Sequence, residues 1–145
     1  MALCTERGIC LVADHTFSLL SPYGVEVPLV SKLRGAERLS YVVIGDTGKI
    51  VGLHGTKVGV LLPSADMEAR VVSSLDNLFF QMATPKLHVL AAILSDARFP
   101  AYAAELNAAV ARNYAYIRDN LDRAIRVIRP QATSMCLLDV SELGV

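Results

Sequence analysis

The chain has no excess of charge of either sign, since 14 Lys and Arg residues offset 14 Asp and Glu. A balanced field gives no electrostatic footprint for nucleic acid or an anionic membrane, so neither is expected as a partner. Cysteine is scarce. Cys4, Cys10 and Cys136 lack metal-ligand spacing, and an odd number of thiols scattered through apolar segments fits a reduced, cytoplasmic protein with mostly buried cysteines. Long hydrophobic runs are also missing, because Asp46, Lys49 and Lys57 break the most apolar region well short of a membrane span. Residues Met1 to Leu20 have no basic start and are interrupted by Glu6, Arg7 and Asp14, which argues against a secretory signal. There is no internal repeat. His15, His54 and His88 are too dispersed for a metal site, and none accompanies a serine or cysteine in a nucleophile motif. The glycine spacing before Lys49 is wrong for a Walker phosphate loop.

What the chain does have is apolar content. At 145 residues it can form one ordinary core, yet 53% hydrophobic residues and a mean hydropathy of +0.42 exceed what so small a soluble monomer can hide. Part of that surface is expected to lie against partner surface. Three apolar runs read as strands of one sheet: Ile9 to Ala13, closed by Asp14; Tyr41 to Gly45, closed by Asp46; and Lys57 to Leu62, stopped by Pro63. Their continuity is that of strands buried on both faces of a mostly parallel sheet. Thr16 to Ser40, with Pro22, Gly24, Pro28 and Gly35, reads as an irregular excursion.

Helical spacing follows. Ser64 is placed to cap a helix from Ala65, with Met67, Val71, Val72, Leu75, Leu78 and Phe79 as its apolar positions. Thr84-Pro85 starts a second helix running to about Asp96. From Pro100 to Ile128, Leu106, Val110, Tyr114, Ile117, Leu121, Ile125 and Ile128 recur every three or four residues, predicting one long helix that outruns a small domain and ends at Pro130. Met135 to Leu138 is a further strand with no visible partner in the sequence. The fold class is therefore α/β, in three layers.

Chemistry concentrates at the ends of the first two strands. Polar residues at the carboxyl ends of parallel strands converge on the crevice where open α/β sheets bind ligands. Asp14, Asp46 and Lys49 would meet there. A lysine in such a place forms a Schiff base when desolvation or a nearby cation favours its neutral amine, and Lys57 could be that cation. A plain solvated lysine and a turn-capping Asp46 are the simpler readings of either residue taken singly.

Taken together, these features resemble the class I/II (fold-type I) pyridoxal-phosphate-dependent aminotransferases. The family places its cofactor lysine six residues before a Gly-x-Arg-x-Gly motif, and Lys49 stands six residues before Gly55-Thr56-Lys57-Val58-Gly59. It also places an aspartate at the end of an earlier strand, and Asp14 lies 35 residues before Lys49. The resemblance runs through the whole chain in order. It implies the carboxy-terminal part of the large domain (residues 1–99), a long interdomain helix (100–129) and the truncated start of a small domain (130–145). It further implies pyridoxal 5'-phosphate as cofactor, with Lys49 as the catalytic anchor and proton shuttle, Asp14 on the pyridine nitrogen, and Lys57 and Asp46 near the phosphate. An amino-acid substrate is implied, and as partner a homodimer, since the family's sites form between two subunits, or a complementing chain, since the family's glycine-rich phosphate loop and substrate-carboxylate arginine fall outside this segment. Three departures from the family pattern stand out: Lys57 replaces an arginine, Phe17 a tyrosine, and Asp46 a serine or threonine. They leave open an amino-acid oxidase or hydroxylase chemistry beside transamination, while the missing half of the site leaves open a non-catalytic fragment or subunit needing a partner chain and implies no transaminase activity for this chain alone.

Overall fold

The structure is a computed structural model that describes residues 1–18, 20–21, 29–36, 38–49, 51–52, 55, 57–78, 83–128 and 133–144. The chain divides into two compact units, Met1–Thr16 with Val27–Asp96, and Phe17–Glu26 with Ala97–Val145.

In the first unit a three-stranded sheet has the order β1 (Leu11–Asp14), β2 (Tyr41–Asp46), β3 (Gly59–Pro63). β1 runs parallel to β2, with Leu11 opposite Tyr41 and Asp14 opposite Ile44, and β3 runs antiparallel to β2, with Asp46 opposite Gly59. The sheet is therefore mixed. β3 returns antiparallel because the connection after β2 is pinched at its neck, where the Thr47 N–H donates to the Val58 carbonyl at 3.1 Å. A parallel strand would need an open crossover instead.

Alternation along the strands sorts side chains between two faces. Leu11, Ala13, Tyr41, Val43 and Leu62 face a core completed by Leu33 and Leu39, with Cys4 of helix α1 (Ala2–Arg7) and Leu29 of helix α2 (Leu29–Arg34) packed against it. Leu33 is fully buried. The opposite face carries Val12, Ile44 and Leu61, and Val12 is 59% exposed. Burial of the strands on both faces is thus not what the structure shows: among the described residues a helical layer packs on one face, while Val12 and Leu61 on the other are exposed. Other large apolar side chains are exposed too, including Leu78 and Val89.

Two helices complete this unit, α3 (Glu68–Leu78) and α4 (Thr84–Ser95). Pro85 sits in the first turn of α4, where its missing N–H costs nothing. Ser64 was expected to cap the helix that follows it. Instead α3 starts later, and the Ser64 hydroxyl is taken up by the sheet: it accepts from the Tyr41 N–H at 3.0 Å and donates to Asp66 at 2.6 Å. Phe79 lies outside the described residues.

The second unit holds helix α5 (Phe99–Asn120) and a two-stranded antiparallel sheet of β4 (Arg126–Ile128) and β5 (Leu137–Asp139). α5 rises about 33 Å along its axis. It stops at Asn120, short of the expected Ile128, because Leu121 is extended and Asp122 turns the chain by accepting the Ala124 N–H at 2.9 Å. Ile125 and Ile128 keep helical spacing after the helix has ended. The strand expected near Met135 to Leu138 is β5, and its partner comes from the stretch assigned to the helix. An Arg126–Asp139 ion pair at 2.9 Å joins the two strands. Among the described residues no helix is long and apolar enough to cross a membrane.

Candidate active site

Parallel pairing of β1 and β2 brings Asp14 and Asp46 to the same end and the same face of the sheet. With Asp14 opposite Ile44 and Asp46 two residues further on, ideal strand spacing separates the two Cα atoms by about 8 Å. Asp14 is exposed at the tip of β1, where its Oδ1 accepts the Thr16 N–H at 3.0 Å. That bond, followed by one from the Thr16 hydroxyl, holds the Asp14 carboxyl below the usual carboxylate range. It is an anion at neutral pH.

Asp46 closes the turn that leaves β2. Its Oδ1 accepts a short hydrogen bond from the Gly48 N–H, the local Asx arrangement expected of the simpler reading of this residue. Gly48 is buried and crowded. A Cβ there would lie 2.8 Å from the Asp46 Oδ1, 2.8 Å from the Lys57 Cε and 3.0 Å from the Lys57 Cγ. With glycine there, the Lys57 stem crosses the turn beside Asp46 without either having to shift. Lys49 follows immediately and is exposed, as is Lys57. The structure therefore groups Asp46, Gly48 and Lys57 in direct proximity and puts Lys49 one residue beyond, with Asp14 on the neighbouring strand.

Thr47 was legible in the sequence only as part of a turn, yet it organises the loop. It is buried, its N–H donates to the Val58 carbonyl, its Oγ1 accepts the Val58 N–H at 2.9 Å, and its carbonyl accepts the Val51 N–H at 3.1 Å. Gly52 follows in the left-handed region at φ 70°, which a side chain would resist. Thr56 and His54 lie outside the described residues. Phe17 belongs to the second unit. His15 follows Asp14, and its buried Nε2 has no hydrogen-bond partner among the described residues. Cys4, Cys10 and Cys136 are free, half-buried thiols. Among the described residues no three His, Cys, Asp or Glu side chains gather as a metal ion would require.

The donor set is chemically coherent for an anionic, nitrogen-heterocyclic ligand. Lys49 and Lys57 belong to the one connection between β2 and β3, an ionised carboxylate stands on the adjacent strand, and the Asp46 carboxylate is turned inward onto a backbone N–H. That inward turn removes part of the repulsion an aspartate would otherwise exert on a phosphate.

Comparison with known proteins places the chain in a family. Among solved structures, the α-aminoadipate aminotransferase LysN of Thermus thermophilus, complexed with N-(5'-phosphopyridoxyl)-L-leucine, superposes with a TM-score of 0.72 at 16% identity, covering 90% of this chain and 34% of that one. A PLP-bound structure assigned as an aminotransferase from Clostridium difficile 630 gives a TM-score of 0.68 at 14% identity, covering 99% of this chain and 38% of that one. This chain thus spans little more than a third of the length of these structures. No curated protein matches it in sequence. The model of the family described as aminotransferase class I and II matches residues 1–143, and the chain belongs to that family.

Proposed function

We propose that this chain forms the Schiff-base half of a pyridoxal 5'-phosphate site in an aminotransferase-like protein, with Lys49 as the anchoring lysine. The observation that supports this most is the parallel β1–β2 register, which delivers Asp14, Asp46 and Lys49 to one end of one sheet. When bound, the cofactor supplies an electron sink for substrate carbanion chemistry. The protein's part is to hold and protonate. The ionised Asp14 would keep a proton on the pyridine nitrogen, the Lys57 ammonium would neutralise phosphate as a point charge, and the Lys49 amine would hold the cofactor covalently and then carry a proton to and from substrate carbon. Asp46 would act from within the turn, fixing Gly48 and leaving space for Lys57.

In this reading residues 1–99 are the carboxy-terminal part of the large domain, 100–129 the interdomain segment, with helix only to Asn120, and 130–145 the start of the small domain. An amino acid is the substrate of the completed site. The remaining phosphate and carboxylate ligands of the completed site fall outside residues 1–145, the expected partner is a second copy or a complementing chain, and the protein works in the cytoplasm. The test is an absorbance titration of the purified chain with pyridoxal phosphate. A lysine-bound band that disappears in Lys49→Ala is the expected result, and a band that persists unchanged in that variant overturns the assignment.

A further inference from the structure

We infer that Thr47 is a positioning residue whose hydroxyl frees its own carbonyl to close the turn that presents Lys49. In a regular antiparallel pair two opposed residues exchange two N–H···O=C bonds. Thr47 and Val58 continue the β2–β3 pairing beyond Asp46 and Gly59, and the Thr47 N–H makes the first of these bonds with the Val58 carbonyl at 3.1 Å. The reciprocal bond is different. The Val58 N–H donates to the Thr47 Oγ1 at 2.9 Å, so the hydroxyl stands in for the carbonyl. The released carbonyl accepts the Val51 N–H at 3.1 Å, which closes the chain around Gly48 and Lys49.

Both residues are buried, Thr47 at 7% and Val58 at 4% exposure, so a Val58 N–H without an acceptor would carry its full desolvation penalty. Loss of the hydroxyl therefore has a defined outcome. The carbonyl of residue 47 returns to the Val58 N–H, the Val51 N–H is let go, and the turn carrying Lys49 opens. No sequence motif marks this role, because any Thr-Gly after a strand reads as a turn. The inference rests on Lys49 being the cofactor lysine for its functional half, and on the hydrogen bonds alone for its structural half.

The structural half is tested on the unaltered chain by nuclear magnetic resonance through-hydrogen-bond coupling. A coupling between the Val51 nitrogen and the Thr47 carbonyl carbon, with none between the Val58 nitrogen and that carbon, is expected. A coupling from Val58 to the Thr47 carbonyl overturns the inference whether or not any variant folds. The functional half uses pyridoxal phosphate labelling, borohydride reduction and peptide mapping, with Lys86 on α4 as internal reference. Thr47→Val is expected to lower the Lys49-to-Lys86 label ratio roughly five- to tenfold and to speed Val51 amide exchange by a similar factor, whereas Thr47→Ser keeps both at the native level. Native label ratio and native Val51 exchange in Thr47→Val, or loss of both in Thr47→Ser, overturns it. If Lys49 is unlabelled in the native chain while the couplings are as expected, the cofactor reading fails and the turn device stands.

Discussion

Replacing Gly48 by alanine is the sharpest probe of the turn between β2 and β3. Gly48 has no left-handed backbone requirement, so an alanine there would ordinarily stabilise by about 0.4–1 kcal/mol through the unfolded chain. Space decides otherwise. The new Cβ would stand 2.8 Å from both the Asp46 Oδ1 and the Lys57 Cε, and real Cβ contacts are longer than that. The Lys57 Cε can swing away at little cost because it lies near the flexible end, whereas the Lys57 Cγ has less freedom and the Asp46 oxygen is held by the Gly48 N–H and must break or stretch that bond. A hydrogen bond to a charged acceptor contributes about 1.5–3 kcal/mol. Setting this against the entropic gain leaves Gly48→Ala less stable by roughly 0.5–2.5 kcal/mol. Gly59→Ala is the control, because nothing lies within 4 Å of a Cβ at Gly59 and β3 favours a side chain there. Urea denaturation followed by circular dichroism reads both. A Gly48→Ala chain as stable as Gly59→Ala would refute the crowding of Asp46 and Lys57 over the turn.

Ser64→Ala should destabilise the first unit by about 1–3 kcal/mol, since it strands the buried Tyr41 N–H that now donates to the hydroxyl; a urea midpoint equal to that of the native chain would contradict this. The Asp66 carboxyl is held below its usual 3.8 by hydrogen bonds from Ser40 first and Ser64 second. A depressed folded value means that its contribution is present above about 3.8 and is lost as pH falls through the lower folded value. Ser40→Ala should therefore move the Asp66 titration, read by carbon resonance, upward toward 3.8, and an unmoved titration would show that Ser40 is not the principal donor.

Much of the candidate site was legible because strands that end in a carboxylate announce themselves. The runs closed by Asp14 and Asp46 fall where β1 and β2 end, and the position of Lys49 follows from the second. Helix α4 was equally plain, since Thr84-Pro85 encodes a first turn by local chemistry. What escaped depends on choices among hydrogen-bond partners that composition does not record. Ser64 has the residue type of a helix cap, but the backbone of Tyr41 competes successfully for its hydroxyl. Ile125 and Ile128 kept a three-residue spacing across the end of α5, and only the side chain of Asp122 shows where the helix stops. The exposure of Val12 was hidden because an apolar run reads the same whether one sheet face or two are covered.

Lys49 is proposed as the lysine this fold offers to the cofactor. The chain has four lysines, Lys32, Lys49, Lys57 and Lys86, and all can react with an aldehyde in principle. Incubation with sub-stoichiometric pyridoxal phosphate, reduction with borohydride and mapping of the phosphopyridoxyl peptide separates them in one measurement. Label concentrated on Lys49, and reduced when Asp14 is replaced by alanine, is the expected result; label spread evenly over the four lysines, or concentrated on Lys86, would contradict it.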